Sequence, residues 1–188
     1  MAKIAIVYFS GYGHTARQAE AVHAGAASLG PASLHRIDAH GDLTDADWQA
    51  FLAADAIIFG APTYMGGPAW QFKKFADASS KPWFQLRWKD KLAAGFNNSA
   101  SINGDKFSTI GYFITLAMQH GMLWAGTALM PANSKAATRE DVNYLAGFSG
   151  ALAQSPSDAS AAEAPGPGDL ETARLLGVRV ATLAGRKG

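Results

Sequence analysis

Six residues near the amino end, Ser10-Gly11-Tyr12-Gly13-His14-Thr15, combine two glycines and two alcohols without a Lys or Arg. Such a set suits an anion. Glycines let the backbone fold tightly round it, and the hydroxyls of Ser10 and Thr15 add donors to the free N–H groups of a helix start. With no cation in the turn, neutral donors and the helix dipole must do the holding. Two later clusters carry related chemistry. Gly60-Ala61-Pro62-Thr63-Tyr64 sets an aromatic on a rigid turn, and Asn97-Asn98-Ser99-Ala100-Ser101-Ile102-Asn103-Gly104 offers amide and hydroxyl donors to a flat polar group.

Each cluster follows an apolar run. Ile4 to Phe9 reads as a parallel strand buried on both faces, Asp55 to Gly60 as the third strand and Leu92 to Phe96 as the fourth. A helix over Thr15–Ala27 has Ala16, Ala19, Val22 and Ala26 on one face, and Ser33 to Asp38 makes the second strand. Thr44 is placed as an N-cap with Asp47 in the capping-box position, opening a short helix to about Ala53. Pro68 is expected at the first position of a helix carrying Phe72, Phe75 and Ala76. A helix from about Lys106 to His120 precedes a fifth strand at Met122 to Trp124, and a last helix spans about Leu170 to Ala184.

Strands alternating with helices predict an α/β doubly wound parallel sheet with helices on both faces. Ligands of such sheets bind beyond the carboxyl ends of the strands, where all three clusters fall. Residues 1–188 are expected to form one domain. A long irregular connection at about 125–168 breaks the rhythm; its Ser-, Ala-, Pro- and Gly-rich part, 154–168, reads as a solvated loop serving as a lid or interface.

Composition narrows the partners. The formal net charge is +1 with no basic block, which argues against nucleic acid. Cysteine is absent, so disulfides, thiol relays and sulfur-ligated metals are excluded, and no metal is expected. The first apolar run is too short for a membrane span or a signal segment. The chain reads as cytoplasmic, with no membrane partner.

Gly11, Gly13 and Ala16 also satisfy a dinucleotide fingerprint, with Asp38 near the expected ribose-binding acid. Three features favour a mononucleotide instead. Hydroxyls at both ends of the turn suit a terminal phosphate dianion. The second cluster carries an aromatic that a dinucleotide fold does not need. The third cluster offers many donors to a flat ring.

The motifs SGYGHT, GAPTYMGGPAWQFKKF, NNSAS-INGDK and LAMQHGM, in this order, resemble the flavodoxin-like NAD(P)H:quinone oxidoreductases of the WrbA type, and the closing GDLETARLLGVRVATLAG extends the likeness over most of the chain. The resemblance implies a five-stranded sheet in order 2-1-3-4-5, bound FMN, and transfer of two electrons from NADPH or NADH to a quinone or similar small acceptor. Ser10, Gly11, Tyr12, Gly13, His14 and Thr15 would hold the FMN phosphate. Pro62, Thr63, Tyr64 and Met65 would border the ring and ribityl chain. Asn98, Ser99, Ala100, Ser101, Ile102 and Asn103 would cradle the polar ring edge. His120 would approach the flavin from the same or a neighbouring subunit and is the one candidate catalytic group. Tyr12 and Trp83 stand where the family sets aromatics against nicotinamide or quinone. Donor and acceptor sharing one ring face implies ping-pong kinetics. The family also implies a homodimer or homotetramer, although the segment between Asp38 and Asp55 is shorter than the family's tetramer-forming insertion.

Plainer roles stand beside these. Tyr64 and Trp83 also suit packing, and His120 ends a helix, where the dipole favours a cation. His23, His35 and His40 lack metal-ligand spacing and read as surface residues, as do Lys73 and Lys74. Two other functions fit the same cofactor: a flavodoxin acting as a one-electron carrier, and a non-catalytic flavin-binding interaction protein.

Overall fold

A computed structural model describes residues 1–186. The strands are β1 (Ile4–Tyr8), β2 (Ala32–Arg36), β3 (Ala56–Tyr64), β4 (Gly67–Pro68), β5 (Leu92–Ser99), β6 (Leu123–Trp124) and β7 (Ala151–Gln154). The helices are α1 (His14–Ala27), α2 (Asp45–Ala53), α3 (Trp70–Ala78), α4 (Ser80–Trp83), α5 (Lys106–Gln119) and α6 (Pro167–Gly185). The sheet runs β2-β1-β3-β5-β6, all parallel, which is the expected order once the strands are renumbered.

Strand alternation divides the core. Ile4, Ile6 and Tyr8 of β1 face Ala19, Val22, Leu176 and Val180 of α1 and α6. Ala5, Val7 and Phe9 face the aromatic layer of Phe59, Phe72, Phe75, Trp88 and Phe113. Alternate residues of a strand point to opposite faces, so one continuous apolar run feeds both cores. The small residues of α1 serve a helix crossing as well as the sheet. A Cβ on Gly25 would stand 1.9 Å from the Arg174 carbonyl oxygen, and one on Gly177 would stand 2.0 Å from that of Val22. Only glycine lets the two backbones come so close.

Three elements depart from expectation. First, the fifth strand is split. β6 pairs with the start of β5 (Leu92↔Leu123) and β7 with its end (Phe96↔Ala151), so residues 125–150 loop out between two halves of one strand position. The connection at 125–168 therefore includes Ala151–Gln154 as a strand.

Second, Pro68 does not open α3. It pairs with Thr63 across a hairpin whose turn residues Met65 and Gly66 both have positive φ, a mirror-image turn suited to strand twist. The proline at a helix start is Pro167 instead, in the first turn of α6. Third, His35 is buried beneath α2 rather than exposed. The capping box at Thr44 and Asp47 is formed as expected. Among the described residues no helix is long and apolar enough to cross a membrane, and no cluster of metal-binding side chains occurs.

Candidate functional site

The loops leaving β1, β3 and β5 meet at the carboxyl edge of the sheet around a cleft of about 510 Å³, within the size range of small-ligand pockets. Tyr12, His14, Thr15, Pro62, Thr63, Tyr64, Asn98, Ser99 and Ala100, all anticipated from sequence, line it together.

The first turn is built as an anion cradle. Gly13 adopts φ 93°, a left-handed conformation, and so directs the following N–H groups of α1 at the cleft. The Ser10 side chain is buried, and its Oγ accepts from the N–H groups of Gly13 and Ala16, each at 3.1 Å. With both lone pairs used, its hydroxyl hydrogen is left to donate. Among the described residues, the N–H groups of Tyr12, His14 and Thr15 and the hydroxyl of Thr15, which lines the cleft, have no partner within the chain. Unpaired donors at a helix start fit a phosphate. A cation missing from the turn's own sequence stands behind it, for Arg36 Nη2 donates to the Ser10 carbonyl at 3.3 Å.

The second loop supplies an aromatic wall. Tyr64 is 37% exposed and meets the more exposed Tyr12 edge-on, with ring centroids 6.2 Å apart. Burial raises the Tyr64 phenol above its ordinary pKa, with Tyr12 adding to the rise, so it stays protonated. The Thr63 hydroxyl does not face a ligand. It donates to Asn97 Oδ1 at 3.0 Å and pairs with Thr109 Oγ1 at 2.8 Å, while Asn97 Nδ2 donates to the Ala61 carbonyl at 2.6 Å. These bonds fix the second loop against β5 and α5. Met65, at the hairpin tip, is fully exposed at the rim.

The third loop is held from beneath. Lys106 is 1% exposed, and its Nζ donates to the carbonyls of Ser101 (2.5 Å), Ile102 (2.8 Å) and Asn103 (3.4 Å). Burial lowers the Lys106 pKa to about 8. Ser101, Ile102 and Asn103 consequently form an exposed rim rather than the cleft wall. Asn98 Oδ1 accepts from Ser155 Oγ at 2.9 Å, which leaves the Asn98 amide hydrogens for a ligand.

Ser155, Ser157 and Ala159 complete the lining and were not anticipated. Their segment, read from sequence as solvated, is tied down at both ends. Ser155 N–H donates to the Ser99 carbonyl (3.0 Å) and Gln154 Nε2 to that of Ala100 (2.7 Å). His14 Nε2 bonds the Ala159 carbonyl (2.9 Å) and Arg17 Nη1 that of Ala161 (3.0 Å). The signal available in sequence was the length of the connection, since unstructured stretches so long are uncommon unless they serve a site.

Two further expected residues are not brought to the cleft. His120 ends α5 just before Leu123, which pairs with the first residue of β5, so it lies at the opposite edge of the sheet. It is 2% exposed, its ring tilts against Trp88 at 4.2 Å, and Nε2 bonds Ser79 Oγ at 2.8 Å. Within one chain it is a core residue. Trp83 sits in α4, one turn beyond Ser79, at that same far edge, against Phe84.

Comparison with known proteins places the chain among flavoproteins. Residues 14–136 match the family model described as NADPH-dependent FMN reductase. Flavodoxin FldP of Pseudomonas aeruginosa is 52% identical over 97% of each chain. An NAD(P)H dehydrogenase (quinone) of Rhizobium johnstonii is 32% identical over 99% of each. The crystal structure of the flavodoxin, WrbA-like protein from Agrobacterium tumefaciens superposes with a TM-score of 0.79 at 50% identity, covering all of both chains.

Proposed function

Because the chain belongs to the NADPH-dependent FMN reductase family, as a flavodoxin-like oxidoreductase of the WrbA type, we propose that it binds FMN in the three-loop cleft and carries two electrons from NAD(P)H to a quinone or similar small acceptor. The observation that carries this reading is the set of unpaired N–H groups at Tyr12, His14 and Thr15, facing a cleft walled by Tyr64 and floored by amides. When bound, FMN supplies the redox chemistry itself.

The protein's own residues bind, orient and tune. Ser10, Thr15 and the turn amides take the phosphate, and Pro62 and Tyr64 flank the ring. The Asn98 amide and the backbone of the third loop supply donors where negative charge collects on reduction. Tyr12, largely exposed opposite Tyr64, covers the entrance where nicotinamide and acceptor exchange.

The reading is tested by titrating apo-protein with FMN and following flavin fluorescence, then measuring NADPH oxidation at several fixed benzoquinone concentrations. Saturable quenching and parallel double-reciprocal lines are expected; absence of quenching would sink the cofactor assignment, and intersecting lines the shared face.

A second reading, a one-electron carrier, is favoured by the 52% identical relative that bears the name flavodoxin. A carrier depends on a separate reductase, so NADPH and quinone added to the purified holoprotein would give no turnover. Steady turnover supports the oxidoreductase.

A further inference from the structure

We propose that Ser33, His35 and Asp47 form a second reactive centre, a serine nucleophile with its general base, which cleaves small acyl esters. Ser33 and His35 lie two apart on β2, so their side chains share the sheet face covered by α2. His35 Nε2 lies 2.7 Å from Ser33 Oγ, and His35 Nδ1 lies 2.7 Å from Asp47 Oδ1. An ionised carboxylate only accepts, so Nδ1 carries the hydrogen in the tautomer that can serve as a base. Nε2 then presents its lone pair, and the Ser33 hydroxyl donates to it. That is the proton path of serine acyl transfer, with each nitrogen on the partner the chemistry needs.

The arrangement is held in place. His35 is 8% exposed and sets its ring edge-on against Phe51 at 4.9 Å. Asp47 Oδ2 is occupied by the Thr44 N–H (2.8 Å) and Oγ1 (2.7 Å), which turns Oδ1 toward the imidazole. Burial raises the Asp47 pKa, but its bonds from His35 and Thr44 outweigh that and leave it lowered overall, hence ionised. Ser33 itself is exposed, at the rim of a cleft of about 160 Å³ lined by Pro31, Ala32, Ala50, Ala53 and Ala54. That volume and its alanine walls admit an acyl chain of a few carbons.

A donor for the developing oxyanion is also present. β2 is the edge of the sheet and pairs only with β1 among the described residues. The alternation that points the Ile37 N–H at the Tyr8 carbonyl (2.8 Å) sends the Leu34 N–H to the open edge, one residue beyond Ser33.

The chemistry balances without a further reagent besides water. Ser33 Oγ bonds the ester carbon as its proton passes to His35 Nε2. The C–O bond to the alcohol breaks, and the alcohol leaves with that proton. Water then attacks the acyl carbon, gives a proton to Nε2, and releases the acid as Ser33 regains its hydrogen. None of these residues touches the three-loop cleft, because Ser33 pairs with Ala5 at the start of β1 and the anion turn follows its end.

The test uses the full chain with p-nitrophenyl acetate and a fluorophosphonate probe. Expected are an early burst of nitrophenol, a phosphonate adduct mapped by mass to Ser33, and at least a ten-fold fall in ester cleavage in Ser33→Ala. FMN binding by that variant should equal wild type, showing that it is folded. A fall smaller than ten-fold, or labelling that misses Ser33, overturns the proposal.

Discussion

The hydroxyl oxygen of Tyr64 lies 2.6 Å from the point where a Cβ on Gly11 would stand. The first and second loops therefore meet because residue 11 has no side chain, and the aromatic wall of the cleft rests directly on the anion turn. Gly11→Ala should move Tyr64 outward with little effect on stability, because only the tip of one partly exposed ring must give way. FMN binding should weaken about ten-fold, equivalent to about 1.4 kcal/mol. Gly13→Ala differs in kind. Its φ of 93° disfavours any side chain, and its Cβ would also meet that of Ala161 at 2.7 Å. A loss of about 1–3 kcal/mol in stability is expected there. Urea denaturation beside FMN titration of both variants separates the two effects.

The two alcohols of the turn make separable contributions. Ser10 Oγ already accepts two N–H groups of the helix start, whereas the Thr15 hydroxyl has no partner in the chain. Ser10→Ala should cost about 1 kcal/mol of stability, as for other lost caps, and weaken FMN as well. Thr15→Ala should weaken FMN about ten-fold while leaving the denaturation midpoint nearly unchanged. Equal stability losses in the two variants would refute this division.

The sequence displayed the fold through its apolar runs, because strands buried on both faces leave no alternation to misread. Ile4 to Phe9 and Asp55 to Gly60 located the sheet, and the glycines and alcohols after the first run located the anion turn. What stayed hidden depended on contacts distant in sequence. Ser155 reaches Asn98 across 57 positions, and His14 reaches Ala159 across 145. No local pattern encodes such pairs, and the Ser-, Ala-, Pro- and Gly-rich composition of 154–168 suggested solvent. β7 was hidden similarly, since Ala151-Leu152-Ala153-Gln154 gains its partner only from the edge of β5. In the sequence Lys106 marks only the start of a helix, and its burial comes from three carbonyls that fold back over it. The motif around His120 pointed to the flavin, but within one chain its helix ends at the far edge of the sheet.

Lys106 is the support on which the third loop rests. Lys106→Met keeps the buried chain but leaves the carbonyls of Ser101, Ile102 and Asn103 without their shared donor. A loss of about 2–3 kcal/mol in stability is expected from unpaired groups at such a position. The loop should also loosen, so FMN affinity should fall at least ten-fold and amide exchange at residues 101–105 should quicken. Protection at these amides equal to wild type would show that the loop holds itself.

His120 makes stability depend on pH in a window fixed by its environment. Burial lowers its pKa from the ordinary 6.5 to about 4. Its Nε2 bonds Ser79 Oγ, which already donates to the Ala76 carbonyl at 2.6 Å, so Nε2 must be the protonated nitrogen and Nδ1 the bare one. Nδ1 is buried with no partner, and a proton placed there would meet no acceptor. In the unfolded chain the ring takes up a proton near 6.5; in the folded chain it resists until about 4. Protons are therefore bound preferentially by the unfolded state between these values. Stability from the neutral ring is complete well above pH 6.5 and declines as pH falls toward 4, by at most about 3–4 kcal/mol, at about 1.4 kcal/mol per pH unit. Chemical denaturation at pH 7.5, 5.5 and 4.5 should show this decline in the wild type and a shallower one in His120→Gln, which cannot titrate. Parallel curves for the two proteins would mean that the ring carries its charge in the folded core, and that the missing acceptor at Nδ1 is supplied.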